Sequence, residues 1–387
     1  MDAPEEWRVV SAVVDYVNAM IEHGLYSVDE IPQKAMHAYH ADYYLAQVNN
    51  GGHSQFIHNS GNAAEVTWRN AARGLESMGA YGHFQILAKM LAWVEANPEE
   101  TAAQTGFSGG RAKELDDLDS AFYALDKTEN MSQLNAAWIK SWPELQVLAD
   151  ERYPEALRQV ASMNPKRETR LRARELARLI ATLGDRMRVG LSLAAAQAEN
   201  FEIVLQIGNG GYETIEGEQL MAFFVRTTRG ERYGVVTETY AALYDRIPGT
   251  PIQPADPNDP DSLTKSFEAF KAGGGKPPKV GELIARVEMT EIDTAHEASN
   301  EVEGAAAIHF LLDKARLDYA NATIATVSVD PSESGPVMRY LVLTEGQTNI
   351  VTANREGAIL MRFNDKQKLA AHPIDDFRTF RKSVLEA

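Results

Sequence analysis

The sequence predicts an α+β protein in three parts: an all-α N-terminal helical domain over residues 1–150, a basic helical connector over 151–200, and an α+β C-terminal domain over 201–387 with a mainly antiparallel sheet. Three observations predict it. Apolar residues recur at helical spacing in the first part, the charge reverses sign in the second, and short β-rich runs fill the third. With 387 residues the chain also exceeds the roughly 250–300 at which a single core stops growing, so more than one domain is expected.

The first helix follows from Trp7, Val10, Val14, Val17 and Ile21, spaced three and four apart. Pro32 suits the first turn of a second helix that runs to about Val48, where Asn49-Asn50-Gly51-Gly52 stops it. The stripe returns at Trp68, Ala71, Leu75, Met78 and again at Phe84, Leu87, Leu91, Val94, before Asn97-Pro98. Leu115, Leu118, Phe122 and Leu125 repeat it; on that helix Asp116 and Asp117 point away from the apolar side and Asp119 flanks it. Asn164-Pro165 opens a helix from Lys166 to about Arg188, with Leu176, Leu179, Leu183 and Met187 on one side and Arg167, Arg170, Arg174, Arg178 along another. Beyond Asn200 the β-rich runs are Phe201 to Ile207, Met221 to Thr228, Arg232 to Thr237, Leu283 to Met289, Ile324 to Val329, Met338 to Thr344 and Ile359 to Phe363. Pro/Asp-rich Ile247 to Asp261 and Gly273-Gly274-Gly275-Lys276-Pro277-Pro278 read as loops, and Pro373 to Leu385 as a closing helix. No internal repeat is evident.

Net charge is −17 at pH 7, which disfavours nucleic acid and anionic lipid as direct partners. Most of it is local: residues 1–150 carry 21 acidic and 9 basic residues (−12), residues 151–200 carry 6 and 10 (+4), and residues 201–387 carry 28 and 19 (−9). All five tryptophans lie in the first segment, a second composition shift at the same boundary. The absence of cysteine excludes disulfides, thiolate metal sites and thiol nucleophiles. An acidic start, MDAPEEW, and the lack of an apolar run near 18 residues point to a cytoplasmic protein.

Catalytic patterns are weak. Gly106-Phe107-Ser108-Gly109-Gly110 matches a nucleophile elbow, but the polar stretch before it is not the strand that Ser108 would need. His296-Glu297 lacks a second imidazole at Asn300, Gly273-Gly274-Gly275-Lys276 is followed by proline where magnesium would need a hydroxyl, and Gly208-Asn209-Gly210-Gly211 has Glu213 in place of a third glycine. His37 and His40 have the spacing of metal ligands on a helix with Asp42 nearby, but no third ligand is placed. No cofactor or metal is expected.

The stretch Tyr43-Tyr44-Leu45-Ala46-Gln47-Val48-Asn49-Asn50-Gly51-Gly52-His53-Ser54-Gln55-Phe56-Ile57-His58-Asn59-Ser60-Gly61 resembles the signature of the DMP-type DNA-mimic family: a tyrosine-bearing helix, an NGGFxQ turn and a short helix ending in asparagine and glycine. The likeness extends through Met78-Gly79-Ala80 to the acidic helix around Leu115-Asp116-Asp117-Leu118-Asp119, roughly Trp7 to Asp150 in all. It departs at His53 and His58, where the family carries aromatic residues. The resemblance implies an acidic helical module without catalytic residues. Its signature turn would comprise Asn50, Gly51, Gly52, Ser54, Gln55, Phe56 and Asn59; its partner-binding face would comprise Glu65, Glu76, Glu95, Glu99, Glu100, Glu114, Asp116, Asp117 and Asp119. The expected function is therefore binding to a protein with a cationic surface, a DNA-binding protein in the sharpest form, with no direct nucleic-acid or membrane contact. The arginines of the connector suit docking to an acidic protein surface, including that of a second copy. The competing classes are a hydrolase or metal-dependent enzyme using Ser108 or a histidine/carboxylate site, and an immunity-type, toxin-neutralising protein.

Overall fold

The computed structural model describes residues 5–106, 112–251, 261–317, 322–344 and 346–386. Contacts divide the chain into two compact units, 1–168 and 169–387.

The first unit is helical: α1 (Glu5–Asn18), α2 (Gln33–Ser60), α3 (Ala64–Ser77), α4 (Tyr81–Ala96), α5 (Pro98–Ala102), α6 (Lys113–Asp126), α7 (Met131–Lys140) and α8 (Tyr153–Ser162). α1 buries Val10, Val13 and Val17 against Met36, Ala38, Ala136 and Ile139 of α2 and α7; of the expected stripe, Val14 is only half-buried and Trp7 is exposed. A second core gathers Tyr44 and Phe56 of α2 with Leu75, Leu87, Leu115 and Phe122 from α3, α4 and α6. Thus α2 is the central element, and it is broken where the sequence predicts. Gly51 and Gly52 leave helical geometry, so the first helical segment stops at Asn49-Asn50-Gly51-Gly52 and a second, short segment runs on to Ser60. α8 packs on the π-helical turn Ala19–His23 that closes α1.

The helix expected from Lys166 to Arg188 is two helices. α9 (Arg167–Gly184) ends where the Asp185 carboxylate caps α10 (Arg186–Gln197) by accepting from the amides of Met187 and Arg188. α10 is buried almost continuously from Val189 to Ala195.

The remainder of the second unit is α+β, with two five-stranded antiparallel meanders. β1 (Val204–Ile215), β2 (Glu218–Thr227), β3 (Gly230–Val236), β4 (Tyr240–Ile247) and β5 (Lys279–Glu288) form one sheet in sequence order. β6 (Thr323–Ser332), β7 (Gly335–Thr344), β8 (Gln347–Ala353), β9 (Gly357–Arg362) and β10 (Lys368–Pro373) form the other. Helix α11 (Ser262–Ala272) interrupts the β4–β5 connection, α12 (Met289–Glu301) and α13 (Gly304–Lys314) join the sheets, and α14 (Ile374–Leu385) closes the chain. One core collects residues of both sheets with α10, α12 and α13. A helix, a five-stranded meander and a helix therefore occur twice, α10 to α12 and α13 to α14, although the sequence shows no repeat. The first sheet also covers its own outer face: Glu216, in the β1–β2 turn, pairs at 2.9 Å with Arg286 of β5, whose guanidinium stacks on Tyr240 at 4.1 Å. Beneath them Ala222, Tyr233, Val235, Ala242 and Tyr244 form a small separate core.

Candidate protein-binding site

The signature turn is built around the break in α2. Gly52 has φ +76°, and a Cβ there would lie 2.1 Å from the Asp119 carboxylate, so both conformation and space require glycine. The break frees backbone groups that side chains then satisfy. The His53 amide donates to Asp119 Oδ1 at 2.8 Å, and the Tyr123 hydroxyl donates to the Val48 carbonyl at 2.7 Å. Both partners come from α6.

A buried chain of side chains extends the same joint. His53 Nδ1 lies 2.5 Å from Asp119 Oδ1, and His53 Nε2 lies 2.8 Å from the Tyr44 hydroxyl. Burial, reinforced by the Asp119 charge, pushes the Tyr44 phenol well above its ordinary pKa, so it stays protonated; with the imidazole proton on Nδ1 toward Asp119, Nε2 is left to accept from the Tyr44 hydroxyl. His53 is wholly buried and Asp119 is 6% exposed. Phe56 and Phe122 pack edge-on to Tyr44 with ring centroids 4.9 and 5.5 Å away. The polar residue at position 53 makes the packing of the turn polar, pairing with an acid of α6.

The other signature residues are also fasteners. Ser54 Oγ accepts from the Gly106 amide at 3.2 Å. Gln55 Nε2 and Asn59 Nδ2 both donate to Gln47 Oε1, at 2.9 and 2.6 Å. Phe56 is core and Asn50 is exposed.

With the joint made, α6 presents acids outward. Leu115, Asp119 and Phe122 are buried on it, while Glu114, Asp116 and Asp117 are exposed. Asp119, expected on the same face, is instead the interior anchor; it flanks the apolar stripe closely enough to be drawn in. Glu65, Glu76, Glu95, Glu99 and Glu100 are exposed on α3, α4 and α5. Local cations among the described residues pair Asp117 with Lys113 at 2.9 Å, Glu76 with Arg73 at 3.1 Å and Glu65 with Arg69 at 3.8 Å. Glu95, Glu99, Glu100 and Glu114 make no ion pair among the described residues. The tie between Asp119, His53 and Tyr44 was missed in the sequence; Asp119 and His53 are 66 residues apart, and only the departure at His53 hinted at a polar partner.

The remaining candidates lie elsewhere. On α9, Arg167, Arg170 and Arg178 are half-buried and Arg174 is exposed; Arg167 donates to the His23 carbonyl at 2.6 Å, and Arg178 pairs with Glu175 at 2.8 Å. His40 is buried with Nδ1 on the Met36 carbonyl at 2.9 Å. Burial lowers the His37 and His40 pKa values and raises that of Asp42 to about 6. Among the described residues no group of three or more His, Asp or Glu could hold a metal ion. His296 lies against the Leu183 carbonyl and Asn300, and Gly208 to Gly211 lie within strand β1. Ser108 lies outside the described residues. No helix among them is long and apolar enough to cross a membrane.

Fold and site define an acidic helical module whose glycine break is tied to its acid-bearing helix. Residues 29–142 match the family model described as DMP19-like protein, the family that the signature resembles. The match covers under a third of the chain and lies wholly within the first unit. No curated protein and no solved structure matches the chain.

Proposed function

We propose that the first unit is an acidic protein-binding module that occupies the cationic surface of a nucleic-acid-binding protein in place of DNA. The observation that carries this reading is the division of labour on α6: Asp119 turns inward to fix the helix, while Glu114, Asp116 and Asp117 face solvent. A helix fixed in this way offers carboxylates in a set arrangement, whereas acids on mobile side chains of a loosely held helix would lose more freedom on binding. Duplex DNA carries about one charge per 1.7 Å of its axis, so a cationic groove shaped for it favours closely spaced, rigidly mounted acids. The family match over residues 29–142 supports the same reading.

The test neutralises charge without altering shape. Glu114→Gln, Asp116→Asn and Asp117→Asn together are expected to weaken the complex with the partner by at least about tenfold at about 0.15 M salt and to flatten its salt dependence. The thermal melting curve should be unchanged, since all three side chains are exposed. Unchanged affinity would count against α6 as the binding face.

A further inference from the structure

The second unit holds a groove of about 370 Å³ between the C-terminal turn of α10, the first turns of α12 and residues 327–330 of β6. Three features give it a definite character.

The first is an open strand edge. β6 is the end strand of its sheet and pairs only with β7. Among the described residues its backbone makes no backbone hydrogen bond outside that ladder. α10 packs on β6, with Leu193 and Gln197 beside residues 327–330 at the groove, and Pro331, next along the strand, has no N–H to offer. A bulge separates Thr326 from Ser328 in the pairing with β7. Residues 327–330 span about 13 Å at strand rise, and it is this stretch that lines the groove.

The second is size and lining. About 370 Å³ lies within the range of sites that take a small ligand or a short segment of chain. Leu193, Val327 and Val329 supply apolar lining, so alternate side chains of an incoming strand would find apolar contact.

The third is charge. Glu291 and Asp330 are the ionisable residues lining the groove. Asp330 is held by Arg339 and by the Ser328 hydroxyl, which offsets its charge. Glu291, in the first turn of α12, accepts from the Gln197 side-chain amide at 3.4 Å and makes no ion pair among the described residues. The groove therefore keeps one carboxylate without a cationic side-chain partner on its rim.

We propose that this groove is a strand-addition site for an extended peptide segment bearing basic side chains, which joins the second sheet along β6 and sets a lysine or arginine against Glu291. Main-chain hydrogen bonds to residues 327–330 supply affinity, and Glu291 selects for a cation. The site is separate from the acidic face of the first unit and does not depend on it.

The full chain is titrated, at about 0.15 M salt, into a labelled octapeptide that alternates valine and lysine, and fluorescence anisotropy is read. Two further peptides carry backbone N-methyl groups on one or the other alternate set of residues, and a fourth replaces lysine by glutamate. Binding of the lysine peptide is expected, with loss on N-methylation of one alternate set and near-normal binding for the other, because only every second amide of an added strand faces the sheet. The glutamate peptide should bind at least about tenfold more weakly, and Glu291→Lys should reverse that preference. Glu291 is exposed, so the variant is expected to fold, and its circular dichroism checks this. Four results would each overturn the proposal: no binding of the lysine peptide at about 1 mM, equal tolerance of both N-methyl patterns, equal binding of the lysine and glutamate peptides, or a preference unchanged by Glu291→Lys. Lysine-peptide binding that survives every change would report attraction to the acidic first unit instead.

Discussion

Gly52 and Asp119 illustrate how one residue's freedom decides another's role. Because position 52 has no side chain, the Asp119 carboxylate reaches the His53 amide and imidazole from a helix distant in sequence. Gly52→Ala would place its methyl on that carboxylate and force a positive φ on alanine, so it should destabilise the first unit by about 3 kcal/mol in urea unfolding. Asp119→Ala should cost a similar amount by leaving two buried donors without an acceptor. A loss under 1 kcal/mol for both variants would show that the joint is incidental. Asp42 makes a separate prediction. Burial raises its pKa from 3.8 to about 6, so the folded state binds its proton more tightly than the unfolded chain does. Its contribution is therefore fully present below pH 3.8 and lost as pH rises through 6, by about 3 kcal/mol. Asp42→Asn should remove that part of the pH dependence and stabilise the protein at pH 8 relative to wild type; equal pH profiles for the two proteins would contradict it.

Among elements, legibility followed periodicity. α1, α4 and α6 each bury one side, so their stripes were visible, as was α14 after its proline. α10 was not: it is buried from Val189 to Ala195 without interruption, and a helix buried all round leaves no stripe. α12 was missed because its buried side is small, Ala295, Ala298 and Ser299 beside Ile292, and α13 because, like α10, it is buried on most sides and leaves no stripe. β4, β8 and β10 were also missed. In β10, Ala370, Ala371 and Pro373 carry little β preference alone, whereas β4 and β8 do hold strand-favouring residues, Tyr240 and Tyr244 in the one and Thr348, Ile350, Val351 and Thr352 in the other, and were legible in composition; the neighbouring strands of each meander set their register. The outward position of Glu114, Asp116 and Asp117 could be read from helical spacing, because burial on α6 obeys it. The inward turn of Asp119 could not, because it depends on a break in a helix formed elsewhere in the chain.

At the scale of the whole molecule, a single net charge of −17 conceals two different surfaces. The first 150 residues account for −12 of it, within a helical unit that matches the DMP19-like family. Both units pair acids internally, as Glu144 with Lys34 and Glu30 with Lys166 in the first and Glu216 with Arg286 and Asp330 with Arg339 in the second show. In the first unit the exposed Glu114, Asp116 and Asp117 of α6 are the acids on which the proposed mimicry rests. The most direct test of this is competition. A partner recovered with the full chain from its native host is challenged with duplex DNA over a range of concentrations, and release of the chain is followed. Mimicry predicts that DNA and the chain exclude each other, with release that rises with DNA and grows easier with salt. A ternary complex of partner, DNA and chain would contradict it.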